Sequence, residues 1–213
     1  MIEPYPLNLL LKNRAIAVIG GGKVAERKIS GLLDTGAAIT VIAPTVTQKI
    51  KSLAAKKRIV LKLRNFVNND LKGKLLVFVA TNSDNVNKQV AHSARKKGIL
   101  VNCVDNPQEC EFFVPSFFRR GSLLLTVSTG GKIPALSKKI RRDIEVSYGA
   151  VFTEYVKLLA KVRGKIYQKN SLGFQQKKDL IEKLVDSNIL SLLKKGKKKE
   201  AAMFIKKFLQ KNF

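Results

Sequence analysis

Nearly continuous apolar runs, rich in β-branched residues, recur along the first half of the chain. Between them lie segments in which apolar residues return every three or four positions. Such runs predict strands buried on both faces, whereas the periodic segments predict amphipathic helices. The strands are predicted at 15–21, 38–44, 58–66, 74–81 and 99–105, and the helices at 23–33, 47–57 and 85–98. The run 58–66 alternates apolar and charged residues, so we expect that strand to be less buried. Alternating strands and helices predict a parallel sheet with helices on both faces.

The pattern changes in the second half of the chain. Two short strand-like runs, 112–121 and 122–130, precede a helix that begins near Pro134, where proline suits the first helical turn. From residue 146 onward the pattern is helical, with a break between helices at 168–175. The sequence therefore predicts an α/β first half, a small region of strands and one helix, and a helical end.

Three consecutive glycines stand between the first predicted strand and the first predicted helix. The segment GGGKVA fits the pattern G-x-G-x-x-G/A in the strand–turn–helix context that this motif requires. Gly20 permits the tight turn, Gly22 lets the backbone approach a pyrophosphate, and Ala25 lets the helix pack close to the sheet. The positive end of the helix then faces the phosphates. The predicted dinucleotide site comprises Gly20, Gly21, Gly22, Lys23, Val24 and Ala25.

One expected element of a dinucleotide site is missing after the second predicted strand. An Asp or Glu about 20 residues beyond the glycines usually binds the ribose hydroxyls, but the chain reads VIAPTV there. We therefore expect ribose contacts from Ala43, Pro44 and Thr45, through backbone groups or the Thr45 hydroxyl. No arginine stands at this strand end to meet a 2′-phosphate, which favours NAD over NADP as the cofactor.

The charge of the chain restricts its classes of partner. The net charge is +26 and the isoelectric point is about 10.3, so the protein attracts anions such as nucleic acid, a membrane surface or a polyanionic small molecule. Because lysine is spread over the whole chain, a generally lysine-rich composition is an equally open explanation. The sequence contains neither a basic strand with interleaved aromatic residues nor the spacing of a helix-turn-helix motif. Both features are typical of nucleic-acid-binding proteins, so only the charge supports that class.

Apolar runs and cysteines exclude further classes. No stretch of about 18 apolar residues exists, and the first residues lack the pattern of a signal peptide, so we expect no membrane association. Cys103 and Cys110 are too few for a disulfide framework and lack the neighbours of a metal site. We therefore expect a reduced, cytoplasmic protein without a metal site.

Several blocks of the sequence resemble, in order and spacing, the precorrin-2 dehydrogenase family, which includes the siroheme synthases. The blocks are GGGKVAERK, VIAP, the long segment that begins DLKGKLLVFVATN and ends VNCVDNPQECEFFVPS, and LTVSTGGKIPALSKKIRRDIE. The resemblance runs from about residue 4 to 150. The tail from 151 is similar to the free-standing members only in length and texture.

The resemblance implies a Rossmann-type fold with two additional regions. The expected domains are an NAD-binding Rossmann domain at 1–112, a small α+β dimerisation region at 113–150 and a C-terminal helical domain at 151–213. It also implies an interlocked homodimer and NAD-dependent dehydrogenation of precorrin-2 to sirohydrochlorin in siroheme synthesis. Some members insert ferrous iron as well, and the sequence leaves that activity open.

The resemblance carries roles to individual residues. Asp105 matches the family's catalytic aspartate, and loss of a proton together with the hydride requires such a base. Thr81 and Asn82 match positions on the nicotinamide side of the cofactor. The expected substrate-binding residues are Asn102, Ser128, Thr129, Gly130 and Gly131. Each of these residues also fits an ordinary turn or a strand connection, and from the residues alone both interpretations stay open.

Two other functional classes explain only part of the sequence. A regulatory NAD-sensing module would account for residues 15–105, but not for the block STGGKIPALSKKIRR. A basic nucleic-acid-binding protein would account for the charge alone. The resemblance implies precorrin-2 dehydrogenation, which is the predicted function. Precorrin-2 is ringed by acetate and propionate groups, so it also gives the charge a polyanionic partner.

Overall fold

The computed structural model describes residues 4–104 and 106–213. Between Val114 and Pro115 the chain divides into two compact units, an α/β unit and a largely helical one. Within the described ranges, no helix is both long and apolar enough to cross a bilayer.

The first unit is built on a five-stranded parallel sheet. Its strands are β1 (Ala15–Ile19), β2 (Ala38–Ile42), β3 (Val60–Lys62), β4 (Leu76–Val79) and β5 (Leu100–Cys103). They lie in the order β3-β2-β1-β4-β5, and all neighbouring pairs are parallel. Ile16 of β1 lies opposite Ile39 of β2 on one side and Leu76 of β4 on the other. This arrangement confirms the predicted parallel sheet, and the strand order reverses beside β1.

Helices cover both faces of this sheet, as predicted. They are α1 (Lys23–Leu32), α2 (Gln48–Ala55) and α3 (Asp84–Arg95). Side chains alternate between the two faces along β1. Ile16 packs in one apolar cluster with Ile29 of α1 and Ile50 of α2, whereas Ala17 packs in a second cluster with Val90 of α3. All five are fully buried. Burial of each large aliphatic side chain contributes about 1.5–3 kcal/mol, which holds the helices on the sheet.

The third strand is shorter than its sequence pattern predicts. The alternating run extends to residue 66, but β3 ends at Lys62. Beyond it, the Arg64 guanidinium turns to the Asp70 carboxylate, which is almost completely buried, and donates to its Oδ2 at 2.7 Å and its Oδ1 at 2.6 Å. A buried carboxylate requires such partners, so this ion pair draws the chain away from the sheet.

The second unit combines a β-hairpin with five helices. The elements are β6 (Ser116–Arg120), β7 (Leu123–Val127), α4 (Pro134–Ser147), α5 (Val151–Tyr167), α6 (Phe174–Val185), α7 (Ile189–Lys194) and α8 (Lys198–Asn212). The two strands are antiparallel and α4 packs against both of them. The helices from α5 onward share one apolar core around Ile166, Leu184 and Ile189. The predicted break at 168–175 is confirmed by the gap between α5 and α6.

Candidate functional site: a nucleotide cleft

A cleft opens at the carboxyl edge of the parallel sheet, where the strand order reverses. Its volume is about 860 Å³, a size typical of small-molecule sites. It lies wholly within the first unit, between the loops that follow β1, β2, β3 and β4. Eight of the residues predicted to bind the cofactor line it: Gly20, Gly21, Gly22, Ala43, Pro44, Thr45, Thr81 and Asn82.

The three glycines of the loop after β1 have different reasons to be glycine. Gly20 has φ +122°, and a Cβ there would overlap the backbone carbonyl of Ala80. A Cβ on Gly21 would overlap the carbonyl oxygen of Thr45. A Cβ on Gly22 would meet no atom within 4 Å, and its backbone (φ −81°, ψ −171°) suits any residue. Packing within the protein therefore explains the first two glycines but not Gly22, which is free for approach by a ligand.

The start of α1 presents a helix N-terminus to the cleft. Gly22 is the N-cap residue, and no side chain in the described structure caps this helix. The first amide groups and the positive end of the helix dipole are therefore suited to a phosphate. The other three residues of the predicted motif do not line the cleft. Among them, Lys23 is largely exposed and Ala25 is fully buried in the core beneath α1, where the motif requires a small residue.

A side-chain hydrogen bond connects the first turn of α1 to the loop after β2, which also lines the cleft. The Thr47 hydroxyl, which also caps α2, donates to the Glu26 carboxylate at 2.7 Å. This hydrogen bond, with the charges of Lys23 and Lys49, lowers the pKa of Glu26. The Thr47 amide donates to the Gly21 carbonyl at 3.0 Å. The loops after β1 and β2 are thereby fixed against each other.

The loop after β4 is held by α3. The Thr81 hydroxyl donates to Asn87 Oδ1 at 2.7 Å, and Asn87 Nδ2 donates back to the Thr81 carbonyl at 3.2 Å. Asn87 is buried, so this pair orders the loop rather than leaving the Thr81 hydroxyl proton for a ligand. Asn82, which follows, lines the cleft and is exposed.

Part of the cleft wall was missed by the sequence analysis. Further lining residues come from the loop after β3 and from the beginning of α3, namely Asn65, Phe66, Ser83, Val86 and Gln89. No local pattern marks them, because the run that contains Asn65 and Phe66 was predicted to be a strand. In the structure β3 ends at Lys62, so both residues lie in the loop that follows it.

None of the residues that line the described cleft carries a charge. Arg64 precedes the lining residue Asn65, but its guanidinium is bound to Asp70 and donates to the Asn65 carbonyl at 2.9 Å. Lys62 also binds Asp70, at 2.9 Å. The hydrogen bonds from Arg64 and then Lys62 hold the pKa of Asp70 far below its usual range. These cations thus neutralise an internal carboxylate beside the cleft.

The predicted substrate residue of β5 lies outside this cleft. Asn102 is buried, accepts a 2.8 Å hydrogen bond from Lys28 Nζ and donates to the Phe112 carbonyl at 3.0 Å. Its amide therefore has partners within the first unit. The predicted catalytic residue, Asp105, lies outside the described residues.

The remaining predicted residues, Ser128 to Gly131, form the turn between β7 and α4 in the second unit. Gly130 (φ +61°) and Gly131 (φ +81°) adopt left-handed conformations that favour glycine. The Thr129 hydroxyl accepts from the Ile133 amide at 3.0 Å and lies 3.1 Å from the Ser137 hydroxyl. These contacts order the turn. Its role in substrate binding stays a prediction.

Comparison with known proteins gives matches over almost the whole chain. A family model described as putative NAD(P)-binding matches residues 7–116. A precorrin-2 dehydrogenase of Priestia megaterium is 37% identical, over 89% of this chain and 94% of its own. A siroheme synthase of Methylobacillus flagellatus is 34% identical over 89% of this chain, but this chain spans only 41% of that longer protein. The solved structure of SirC, a precorrin-2 dehydrogenase, has a TM-score of 0.80 and 34% identity, covering 96% of this chain and 100% of its own.

Proposed function

The chain belongs to the precorrin-2 dehydrogenase family, and from that premise we propose that it oxidises precorrin-2 to sirohydrochlorin with NAD as hydride acceptor. The resemblance found in the sequence is thereby confirmed. The first unit is a nicotinamide-nucleotide-binding domain of this family. Within this chain, the proposal is supported above all by the open space around Gly22, at the start of α1.

The cleft supports binding of a dinucleotide by backbone groups. Gly22 and the first amides of α1 would hold the pyrophosphate, because no side chain stands between them and the cleft. Ala43, Pro44 and Thr45 would meet the adenosine ribose, and Thr81 with Asn82 the nicotinamide half. We propose NAD rather than NADP, since the cleft wall offers no cation and Arg64 is bound to Asp70.

The reaction removes two electrons and two hydrogens from the macrocycle, one as hydride and one as a proton. The bound nicotinamide ring supplies the hydride acceptor. We assign the proton to Asp105, because a carboxylate is suited to general base catalysis and the family resemblance gives this residue that role.

The proposed substrate is consistent with the charge of the protein. Precorrin-2 carries many carboxylates, and a strongly basic protein attracts such a polyanion. We propose that Asn102 of the first unit binds this substrate, and we propose the same role for the turn from Ser128 to Gly131 of the second unit. The turn would bind the substrate through backbone amides. The side-chain amide of Asn102 already bonds to Lys28 and to the Phe112 carbonyl, so Asn102 would act through these neighbours.

Two further assignments complete the proposal. We expect a homodimer, and we propose a cytoplasmic location, because two cysteines are too few for the disulfide framework of a secreted protein. A regulatory NAD-sensing protein and a nucleic-acid-binding protein are not favoured, because the matched relatives are named as dehydrogenases and synthases over most of this chain.

The decisive experiment combines the purified protein with enzymatically generated precorrin-2 and NAD. We expect the absorbance of sirohydrochlorin and that of NADH to rise together, one mole of each, and we expect NADP to be a poorer acceptor. A protein that binds NAD but leaves precorrin-2 unchanged would overturn the assignment. Addition of ferrous iron after the first step tests separately for siroheme formation.

A further inference from the structure

Lys28 is a charged residue in the interior of the first unit. It lies on α1, on the side that faces β4 and β5, and is half-buried. Its ammonium group donates a 2.8 Å hydrogen bond to Asn102 Oδ1 and lies 5.6 Å from the centre of the Phe78 ring. Asn102 and Phe78 are opposite each other on β5 and β4, so the charge sits near the carboxyl end of these strands.

No carboxylate in the described part of the chain pairs with this cation. Asp70 binds Arg64 and Lys62, and Glu26 lies near Lys23 and Lys49. Lys74, which is also half-buried, donates to the Thr40 hydroxyl at 3.1 Å. Lys28 instead has the positively charged Arg27 as a neighbour. Burial, and then the charge of Arg27, lower its pKa. Among the described residues, the Asn102 amide oxygen and the Phe78 ring contact the charge of Lys28, and Cys110 is a further neighbour that raises its pKa.

A half-buried cation without a carboxylate partner among the described residues contributes little to stability in this position. Moving an ammonium group out of water costs free energy that an amide and a ring offset only in part. A methionine would fill the same space beside Phe78 at no such cost. A charge at a position where it does not stabilise the fold suggests that the charge binds an anionic ligand.

The position of Lys28 narrows the choice of anion. The residue does not line the nucleotide cleft, so the cofactor phosphates are not its partner. It lies beneath β4 and β5, towards the edge at which open sheets bind their ligands. An ammonium group has three N–H donors, and Asn102 accepts only one hydrogen bond from it.

We propose that Lys28 is a substrate-binding residue whose remaining N–H groups and positive charge bind a carboxylate of the tetrapyrrole. This inference rests on the proposed function, because it takes the polycarboxylate precorrin-2 as the substrate. The bond to Asn102 holds the ammonium group in place, so that the two residues act as one unit. Asn102 thereby contributes to binding although its own amide has internal partners.

The test compares Lys28→Gln, Lys28→Met and Lys28→Arg with the wild type. Glutamine keeps an N–H donor for Asn102 but removes the charge, methionine removes both, and arginine keeps the charge. Lys51→Met is the matched control, since Lys51 is an exposed lysine on α2. The measurements are KM for precorrin-2, the dissociation constants of NAD and of the product sirohydrochlorin, and thermal melting.

Loss of one charge-assisted hydrogen bond should raise KM for precorrin-2 and the sirohydrochlorin dissociation constant about tenfold to hundredfold in the glutamine and methionine variants. NAD affinity should stay within about twofold, and the arginine variant should recover most of the loss. The rise of KM with salt should become shallower in the uncharged variants, because one ionic contact is missing. A merely structural role would change melting and NAD affinity without altering this salt dependence.

Unchanged KM and product affinity in folded Lys28→Gln, with wild-type turnover intact, would overturn this inference alone. If the methionine variant fails to fold, the glutamine variant decides. A wild-type protein that neither oxidises precorrin-2 nor binds sirohydrochlorin would overturn the proposed function, and this inference with it.

Discussion

The α-carbon of Gly21 lies so close to the carbonyl oxygen of Thr45 that any side chain at position 21 would overlap it. The next residue, Gly22, has open space around its α-carbon. Two adjacent glycines at the start of α1 thus meet different demands. One is required by the packing of two loops, and the other leaves the backbone accessible.

This contrast predicts opposite outcomes for substitutions at the two positions. Gly22→Val should fold with nearly unchanged stability, because its backbone conformation suits any residue. NAD affinity should fall by about tenfold or more, as expected for loss of a charge-assisted hydrogen bond to the pyrophosphate. Calorimetric titration with NAD measures the effect.

Gly21→Ala is the matched control for that experiment. It should lower the melting temperature, because the loops after β1 and β2 must separate to admit the methyl group. Normal NAD affinity in a folded Gly22→Val variant would remove this loop from the cofactor site.

Asp105→Asn tests the proposed base. Asparagine keeps the shape of the side chain and its ability to cap a turn but cannot accept the proton. We expect the variant to fold and to bind NAD normally while turnover of precorrin-2 falls by about 10²–10⁴-fold. Stopped-flow or steady-state absorbance of sirohydrochlorin measures the rate. Near-normal turnover of this variant would contradict the catalytic role of Asp105.

Asp70→Asn should destabilise the first unit. Only the carboxylate of this ion pair is buried, and Arg64 and Lys62 remain partly in water, so loss of its charge-assisted hydrogen bonds should cost about 1.5–3 kcal/mol. NAD affinity should fall too, since Arg64 donates to the carbonyl of the cleft residue Asn65. Urea unfolding at pH 7 gives the stability difference, and calorimetry gives the affinity.

The pH dependence of this difference has a defined sign. Folding lowers the pKa of Asp70, so its contribution is fully present above the unfolded value of about 3.9 and is lost as the pH falls below that value. Wild type and Asp70→Asn should therefore converge in stability below about pH 4. Asp34→Asn, at an exposed carboxylate 3.8 Å from Arg58, should change stability by less than about 1 kcal/mol. A pH-independent gap between wild type and Asp70→Asn would contradict the assignment.

The segment 113–150 predicts a homodimer. It exposes large apolar side chains before β6 and along and beside α4, of which Val146 is 85% exposed and Ile133 is 53% exposed. Exposed apolar residues concentrated in one short segment are typical of an interface. Light scattering at micromolar concentration should give about twice the 23.7 kDa chain mass. A monomer at that concentration would contradict the expectation.

Local pattern alone was sufficient to predict much of the fold. Apolar runs buried on both faces, the helix periods between them and the glycines after the first run predicted the parallel sheet, its helices and the loop that begins α1. These signals are visible in sequence because each depends on residues within one element or one turn. The family resemblance added the reaction, because the matching blocks keep their order and spacing.

Contacts between residues far apart in the chain were decided only by the tertiary structure. The early end of β3 depends on the ion pair of Arg64 with the buried Asp70, and the need for glycine at position 21 depends on where the carbonyl of Thr45 lies. Lys28 and Asn102 are 74 positions apart, and neither has a neighbour in sequence that predicts their hydrogen bond. Such pairs form only after the sheet brings β1, β2, β4 and β5 together with α1, because their energies depend on burial and distance rather than on residue type.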